Sequence, residues 1–381
     1  MRFLFICSSF EQGLDGVGDY TRLLAGALVS LGHQACIIAL NDRHIATQSI
    51  EKHEHSLSII RFGSQVCWKR RMDAAREQVE KFCPDWVSLQ YVSFGFHDKG
   101  MPFFLPKYLG KIGKGKKWHV MFHELWYGEA KGSSFKESLL YLLQRSIIQR
   151  LLAKLKPIVV HTHIDLFMER LRVLGTSPIL LPLFGNIPIV ESPAEPWGEV
   201  CPVIMNGSQC ALKCGVFGSV PAKALSGYVL SIIDEAARHR GARAVFIHFG
   251  EMGGSRGRDA WENAMRNLPQ GAEAVVLGSQ TADRISAILQ HLDLGIATTP
   301  PSALGKSGTF AAMREHGLPV VACAPDFFPV PGNSRGSFPT TRQSIEEAIS
   351  MPRVKDPNAL AKVARQFAGD LERAAAGAPK K

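Results

Sequence analysis

Five stretches of this chain hold residue types whose spacing could do chemistry. Leu304-Gly305-Lys306-Ser307-Gly308-Thr309 opens a short apolar-periodic segment that Gly317 closes, and Leu318 to Cys323 follows with the length of a buried strand. A helix starting there collects free backbone N–H groups and partial positive charge beside Lys306, which suits a phosphate. Ser307 or Thr309 could equally be a plain helix cap. A second strand-to-helix turn runs from Val216 to Lys223, where Gly218 and Ser219 could present amides to a diphosphate and Lys223 a point charge. Gly250 to Gly254 ends the next strand in a similar way. His123-Glu124-Leu125-Trp126 leaves a strand with groups for proton transfer or for hydrogen bonds to sugar hydroxyls, and Trp126 could stack on a ring. The alternative there is a histidine satisfied by a backbone carbonyl. Gly16-Val17-Gly18-Asp19 opens the first helix, where two glycines would let a backbone approach a ligand.

Metal and nicotinamide chemistry find little support. Cys210 and Cys214 have no second pair to complete a zinc site. His161 and His163 are read as diverging to opposite faces of one strand, which would not make joint ligands. The chain contains no Asp-x-Asp pair, and the glycine spacing at 13–18 is not the dinucleotide fingerprint.

Positioning such groups takes alternating strands and helices. Strands are expected at 2–7, 35–40, 57–62, 86–91, 118–123, 158–161 and 179–183, with helices at 17–31, 72–82, 135–155 and 166–174 between them. A proline-rich stretch, 187–202, reads as a linker. The alternation then resumes with strands at 216–217, 244–249, 274–277, 294–297 and 318–323, and helices at 221–238, 258–267 and 282–291. Residues 341–381 read as two short helices and a frayed tail. This pattern predicts an α/β fold of two doubly wound parallel-sheet domains, 1–190 and 203–345, followed by helices and tail over 346–381. In such sheets ligands bind beyond the carboxyl ends of the strands, where these stretches fall.

The chain has 381 residues, 46% of them hydrophobic, a net charge of +10 and eight cysteines scattered through it. Reduced thiols in a cytoplasmic, soluble or peripheral protein are expected, since no apolar run reaches the ~20 residues of a spanning helix. The charge suggests an anionic partner. Nucleic acid is disfavoured because no Lys/Arg cluster carries interleaved aromatics. The 135–155 helix sets Leu139, Leu140, Leu143, Ile147, Leu151 and Leu155 on an apolar face amid Lys136, Arg145, Arg150, Lys154 and Lys156. It could dock on an anionic membrane at the inner face, or simply cover the sheet.

Residues 16–24 with the Gly32-His33 stop, Phe122-His123-Glu124, Gly218-Ser219 and the run ending Gly317-Leu318-Pro319-Val320-Val321 occur in the order of a known family. The chain resembles glycosyltransferases of the GT-B fold, in which two Rossmann-like domains face a central cleft, and in particular the retaining family-four (group 1) type. The resemblance implies transfer from a nucleoside-diphosphate sugar, with no cofactor and no metal, to a glycan, lipid-linked or small-molecule acceptor. It implies that Gly16, Gly18, Asp19 and Trp126 line the acceptor side and that His123 and Glu124 meet the transferred sugar. Gly218, Ser219, Lys223, Lys306, Ser307, Gly308 and Thr309 would then hold the donor diphosphate. The sequence departs from the family at Leu304 and Ala312, which stand where two glutamates are usual, and at Ser219, which stands for an arginine. A GT-B-fold nucleotide-sugar epimerase and a non-catalytic nucleotide-sugar-binding homologue are the rival expectations.

Overall fold

The structure, a computed structural model, describes residues 1–52, 57–129, 134–197, 210–324 and 341–377. The last residues of the expected linker (198–202) and of the expected tail (378–381) lie outside these. The chain divides into unit 1, Met1–Pro182 with Leu360–Lys381, and unit 2, Leu183–Ala359.

Unit 1 is built on β1 (Arg2–Cys7), β2 (Gln34–Asp42), β3 (Gln48–Lys52), β4 (Ser58–Gly63), β5 (Trp86–Tyr91), β6 (Lys117–Phe122), β7 (Val159–Thr162) and β8 (Ile179–Leu180). They form one sheet in the order β3-β4-β2-β1-β5-β6-β7-β8. All neighbours are parallel except β3, which pairs antiparallel with β4 at the edge. Its helices are α1 (Gly16–Ser30), α2 (Trp68–Phe82), α3 (Ser93–Phe96), α4 (Leu105–Ile112), α5 (Phe135–Leu155) and α6 (Asp165–Val173). Leu4, Ile6, Val87, Leu89, Val120 and Phe122 point to one face, where α2, α4 and α5 bury Met72, Leu109 and Leu151 against them. Alternation sends Phe3, Phe5, Ser88 and His119 to the other face. There the Phe367 ring lies 5.5 Å from Phe3 and 5.0 Å from His119.

Unit 2 holds β9 (Cys210–Phe217), β10 (Ala242–Phe249), β11 (Glu273–Val276), β12 (Leu294–Ala297) and β13 (Val320–Ala322) in the order β11-β10-β9-β12-β13, all parallel. The helices are α7 (Gly227–His239), α8 (Gly254–Met265), α9 (Ala282–His291), α10 (Gly308–Glu315) and α11 (Arg342–Ser350); α12 (Ala359–Gly377) then carries Phe367 in unit 1. Cys214, Val216 and Phe246 pack to one face of the sheet and Val245, Ile247 and Phe249 to the other. The order reverses direction between β9 and β12, the switch point at which doubly wound sheets bind ligands.

Several expectations need correcting. β9 begins six residues before the expected 216, because the polar Lys213 interrupts an alternation that still buries Leu212 and Cys214. The helix expected from Pro221 begins at Gly227: Ala224 N–H closes a turn on the Pro221 carbonyl (3.0 Å), and Lys223 sits there at φ 64. Ile187 and Trp197, at the two ends of the described part of the proline-rich stretch, are buried in the unit 2 core, while Pro188, Glu191, Ser192, Ala194 and Glu195 between them are exposed. The last helix, expected to be short, runs 19 residues.

Candidate functional site

Three strand ends and one helix start converge at the unit 2 switch point. Gly218, just past β9, has φ +82; its N–H donates to the Phe249 carbonyl (2.9 Å) and its carbonyl accepts from His248 Nε2 (2.7 Å). Thr298, past β12, donates its hydroxyl to the Ser219 carbonyl (2.9 Å). A Cβ on Gly218 would stand 3.1 Å from Thr309 Cγ2, and one on Gly253 3.5 Å from Ser219 Cβ. The turn after β9 is thereby fixed against the loops after β10 and β12 and the first turn of α10.

Local sequence explains the α10 start. Ser307 is the N-cap, its Oγ accepting from the Phe310 N–H (3.3 Å) and lying 3.1 Å from Thr309 Oγ1. Gly317, at φ +72, follows the other end. No hydrogen bond of the described residues uses the amides of Ser219, Gly308 or Thr309, and a Cβ on Gly308 would meet nothing within 4 Å. Lys306 closes a 3-10 turn (Pro301–Lys306) directly before them. Amides left without an acceptor among the described residues at a helix N-terminus are of the kind that can hold an anion.

Other expected members take different places. The Gly218 amide is spent on β10, so of that pair only the Ser219 amide is open to a ligand. Lys223 stands on an exposed turn. Leu304 and Ala312, where the family has glutamates, are 2% and 0% exposed in the apolar core of unit 2. His248 and Thr298, which hold the Gly218-Ser219 turn, escaped the sequence reading because a lone His or Thr at a strand end carries no signal by itself.

In unit 1 the α1 start is already occupied by a carboxylate. Asp15 accepts from the Val17 (3.0 Å) and Gly18 (2.8 Å) N–H groups, and Asp19 accepts from the Gly13 N–H (3.0 Å). Burial raises both carboxyls above their ordinary value, only partly offset by those bonds. Two amides of this helix start are therefore already taken by the protein's own side chain. Gly18 is required by the protein's own loop, since a Cβ would come 2.9 Å from the Ser9 carbonyl oxygen; Gly16 faces open space.

His123, just beyond β6, is buried with both ring nitrogens engaged: Nε2 lies 2.9 Å from Gln90 Oε1 and Nδ1 3.0 Å from His163 Nε2. Burial and the His163 ring push it well below the ordinary imidazole range. Glu124 beside it is half-buried. Direct action of His123 on a substrate would cost one of its two bonds. Trp126 is also tied, its Nε1–H donating to Glu129 (3.0 Å) with Arg170 over the ring. His161 and His163 do not diverge as expected: residues two apart on a strand share a face, and both rings join the same buried network. Among the described residues no group of three or more His, Cys, Asp or Glu could hold a metal ion.

No family profile matches the chain, and no curated protein matches it in sequence. Solved structures do match in fold. An α,α-trehalose 6-phosphate synthase from Burkholderia multivorans superposes with TM-score 0.59 at 11% identity, over 100% of this chain and 99% of that one. The Anabaena protein HepE in complex with UDP-glucose gives 0.56 at 12% identity, over 98% of this chain and 100% of that one. A Listeria monocytogenes protein named as a UDP-N-acetylglucosamine 2-epimerase gives 0.51 at 9%, over 98% and 97%. The likeness is one of fold: this chain has the α/β GT-B fold, with two Rossmann-like units, that glycosyltransferases share with nucleotide-sugar epimerases.

Proposed function

We propose that the protein transfers a sugar from a nucleoside-diphosphate sugar to an acceptor, with the diphosphate held at the unit 2 switch point. The observation that carries this reading is the set of amides of Ser219, Gly308 and Thr309, which have no acceptor among the described residues, beside Lys306. As the glycosidic C–O bond of the donor breaks, negative charge gathers on the leaving diphosphate. Fixed N–H dipoles and a lysine stabilise that charge without a metal ion, and the GT-B resemblance supports a retaining course. Leu304 and Ala312 supply no carboxylates to sugar or ribose, so the phosphate contacts bear a larger share of donor affinity. Calorimetry with a panel of UDP- and GDP-sugars should show binding to at least one, and Lys306→Ala should weaken it about tenfold, the ~1.5 kcal/mol of a charge-assisted hydrogen bond. No binding to any donor, or unchanged binding in the variant, rejects the proposal. The epimerase fold neighbour motivates a rival, and product analysis with donor alone separates the two: an epimerised sugar nucleotide without acceptor decides for the epimerase.

A membrane-facing acceptor is favoured by α5. Its second half packs under the sheet through Ile147, Ile148, Leu151 and Leu155, but Phe135, Leu139 and Leu142, one face of the first half, are 84%, 47% and 56% exposed beside Lys136. We propose that this end contacts an anionic membrane on the cytoplasmic side. No helix of the described residues is long and apolar enough to span one. Co-flotation with anionic but not zwitterionic liposomes, reduced by Phe135→Ser with Leu139→Ser, is expected. Flotation unchanged by the double substitution counts against the contact.

A further inference from the structure

The Phe3 and Phe5 face of the unit 1 sheet also carries a run of buried polar side chains, of which the resemblance gives a role in glycosyl transfer only to His123. Ser88 and Gln90 lie on β5, His119 on β6 and His161 on β7; His123 and His163 follow β6 and β7, and Asp370 comes from α12. All are buried. Seven hydrogen bonds join them end to end. His163 Nδ1 bonds the Leu181 carbonyl (2.9 Å), His163 Nε2 meets His123 Nδ1 (3.0 Å) and His123 Nε2 meets Gln90 Oε1 (2.9 Å). Gln90 Nε2 bonds Ser88 Oγ (2.7 Å), which meets His119 Nδ1 (2.8 Å). His119 Nε2 then meets His161 Nδ1 (3.0 Å), and His161 Nε2 meets Asp370 Oδ2 (3.0 Å).

Both ends of this chain only accept, one being a carbonyl and the other a carboxylate. Between them, each neutral imidazole brings one N–H, the serine one O–H, and the amide one N–H on one side and an oxygen on the other. The six side chains named between the ends therefore offer one proton fewer than the bonds need. Filled from either end with neutral groups, the chain closes until its last link, where two lone pairs would face each other inside the protein.

We propose that this chain is a proton-binding site: it holds one proton beyond its neutral complement, as a buried imidazolium shared among the four histidines and balanced by the Asp370 carboxylate. The proton does not rest on the carboxylate. Burial would raise the Asp370 carboxyl, but its bonds and charge interactions with His161 and Arg373 outweigh this and hold it below the ordinary range. Burial and neighbouring imidazoles depress His119 and His123, which disfavours the extra proton on these two inner rings. The Gln90 amide selects which outer ring carries it. With Oε1 toward His123, neutral groups complete every bond from Gln90 to Asp370, and His163 carries the charge. After a half-turn of the amide they complete every bond from Gln90 to Leu181, and His161 carries it, next to its counter-ion. Among the described residues, titratable or charged groups that face the chain include Tyr20 of α1, whose ring lies 4.8 Å from His123 and 5.4 Å from His163, and Arg373, which bonds Asp370.

Long-range ¹H–¹⁵N spectra of histidine-labelled protein at pH 8, where an ordinary imidazole near 6.5 is neutral, read the charge and tautomer of each ring. One imidazolium among the four is expected in the unaltered protein. Asp370→Asn puts an amide N–H donor at that end and so supplies the missing proton, and all four rings should then read neutral. Four neutral rings in the unaltered protein, or an imidazolium that survives in Asp370→Asn, overturns the proposal. Should that variant not fold, the spectrum of the unaltered protein still decides the count.

Discussion

Gly218 is the residue on which the proposed donor site turns. Its φ of +82 is a conformation that costs a residue with a Cβ about 1–2 kcal/mol, and the added Cβ would also press on Thr309 Cγ2 at 3.1 Å. Gly218→Ala should therefore shift the Ser219 amide away from those of Gly308 and Thr309, weakening donor binding at least tenfold for a loss of about 1–2 kcal/mol of stability. Calorimetry paired with urea unfolding measures both; full affinity in a destabilised variant would detach the turn from donor binding. The residue scale is also where the reading from sequence was least complete. Ser307, Gly308 and Thr309 were legible because helix-start chemistry is local. The loss of the Gly218 amide to Phe249, and the help of His248 and Thr298, were not, because each depends on a strand distant in sequence.

The two glycine-bearing helix starts resemble each other in sequence and differ in how their amides are used. At α10 the cap is a neutral Ser307 followed by open amides; at α1 the Asp15 carboxylate fills that role. The α1 amides are already used by Asp15, which favours α10 for the proposed donor diphosphate. The α1 cap is instead structural. Asp15→Ala should lower stability by about 1 kcal/mol, the usual worth of an N-cap, while leaving UDP-sugar affinity unchanged. Thermal unfolding with and without ligand checks this, and a matching fall in affinity would bring α1 into the donor site. Along α5 the sequence marked one continuous apolar face, yet packing uses only its second half, because burial depends on how far the helix overlaps the sheet.

Each unit of the molecule has its own sheet and cores, and in unit 2 the stability depends on pH through Glu315. Its carboxyl is pushed up to about 7, by burial first, with the Asp356 charge adding and the Gly185 N–H bond (2.6 Å) opposing. Unfolded, it would titrate near 4.5. The folded protein thus binds this proton more tightly, so the contribution to stability is complete below about pH 4.5 and is lost as pH rises through about 7. Glu315→Gln keeps an acceptor for Gly185 and removes the titration. Its urea midpoint should fall less between pH 5 and pH 8 than that of the unaltered protein; an equal fall would place the effect elsewhere.

By itself the sequence determined the alternation of strands and helices, the α/β class, and the short glycine- and serine-marked turn that starts α10. Those features follow from residues within a few positions of one another, through periodicity, capping and left-handed glycines. The edge strand β3, the first half of β9, the buried fate of Leu304 and Ala312 and the course of the histidine chain were decided only by tertiary structure. A buried hydrogen bond or a packed face is a property of two segments at once, and in a parallel sheet those segments are joined by helical crossovers that separate them by dozens of residues.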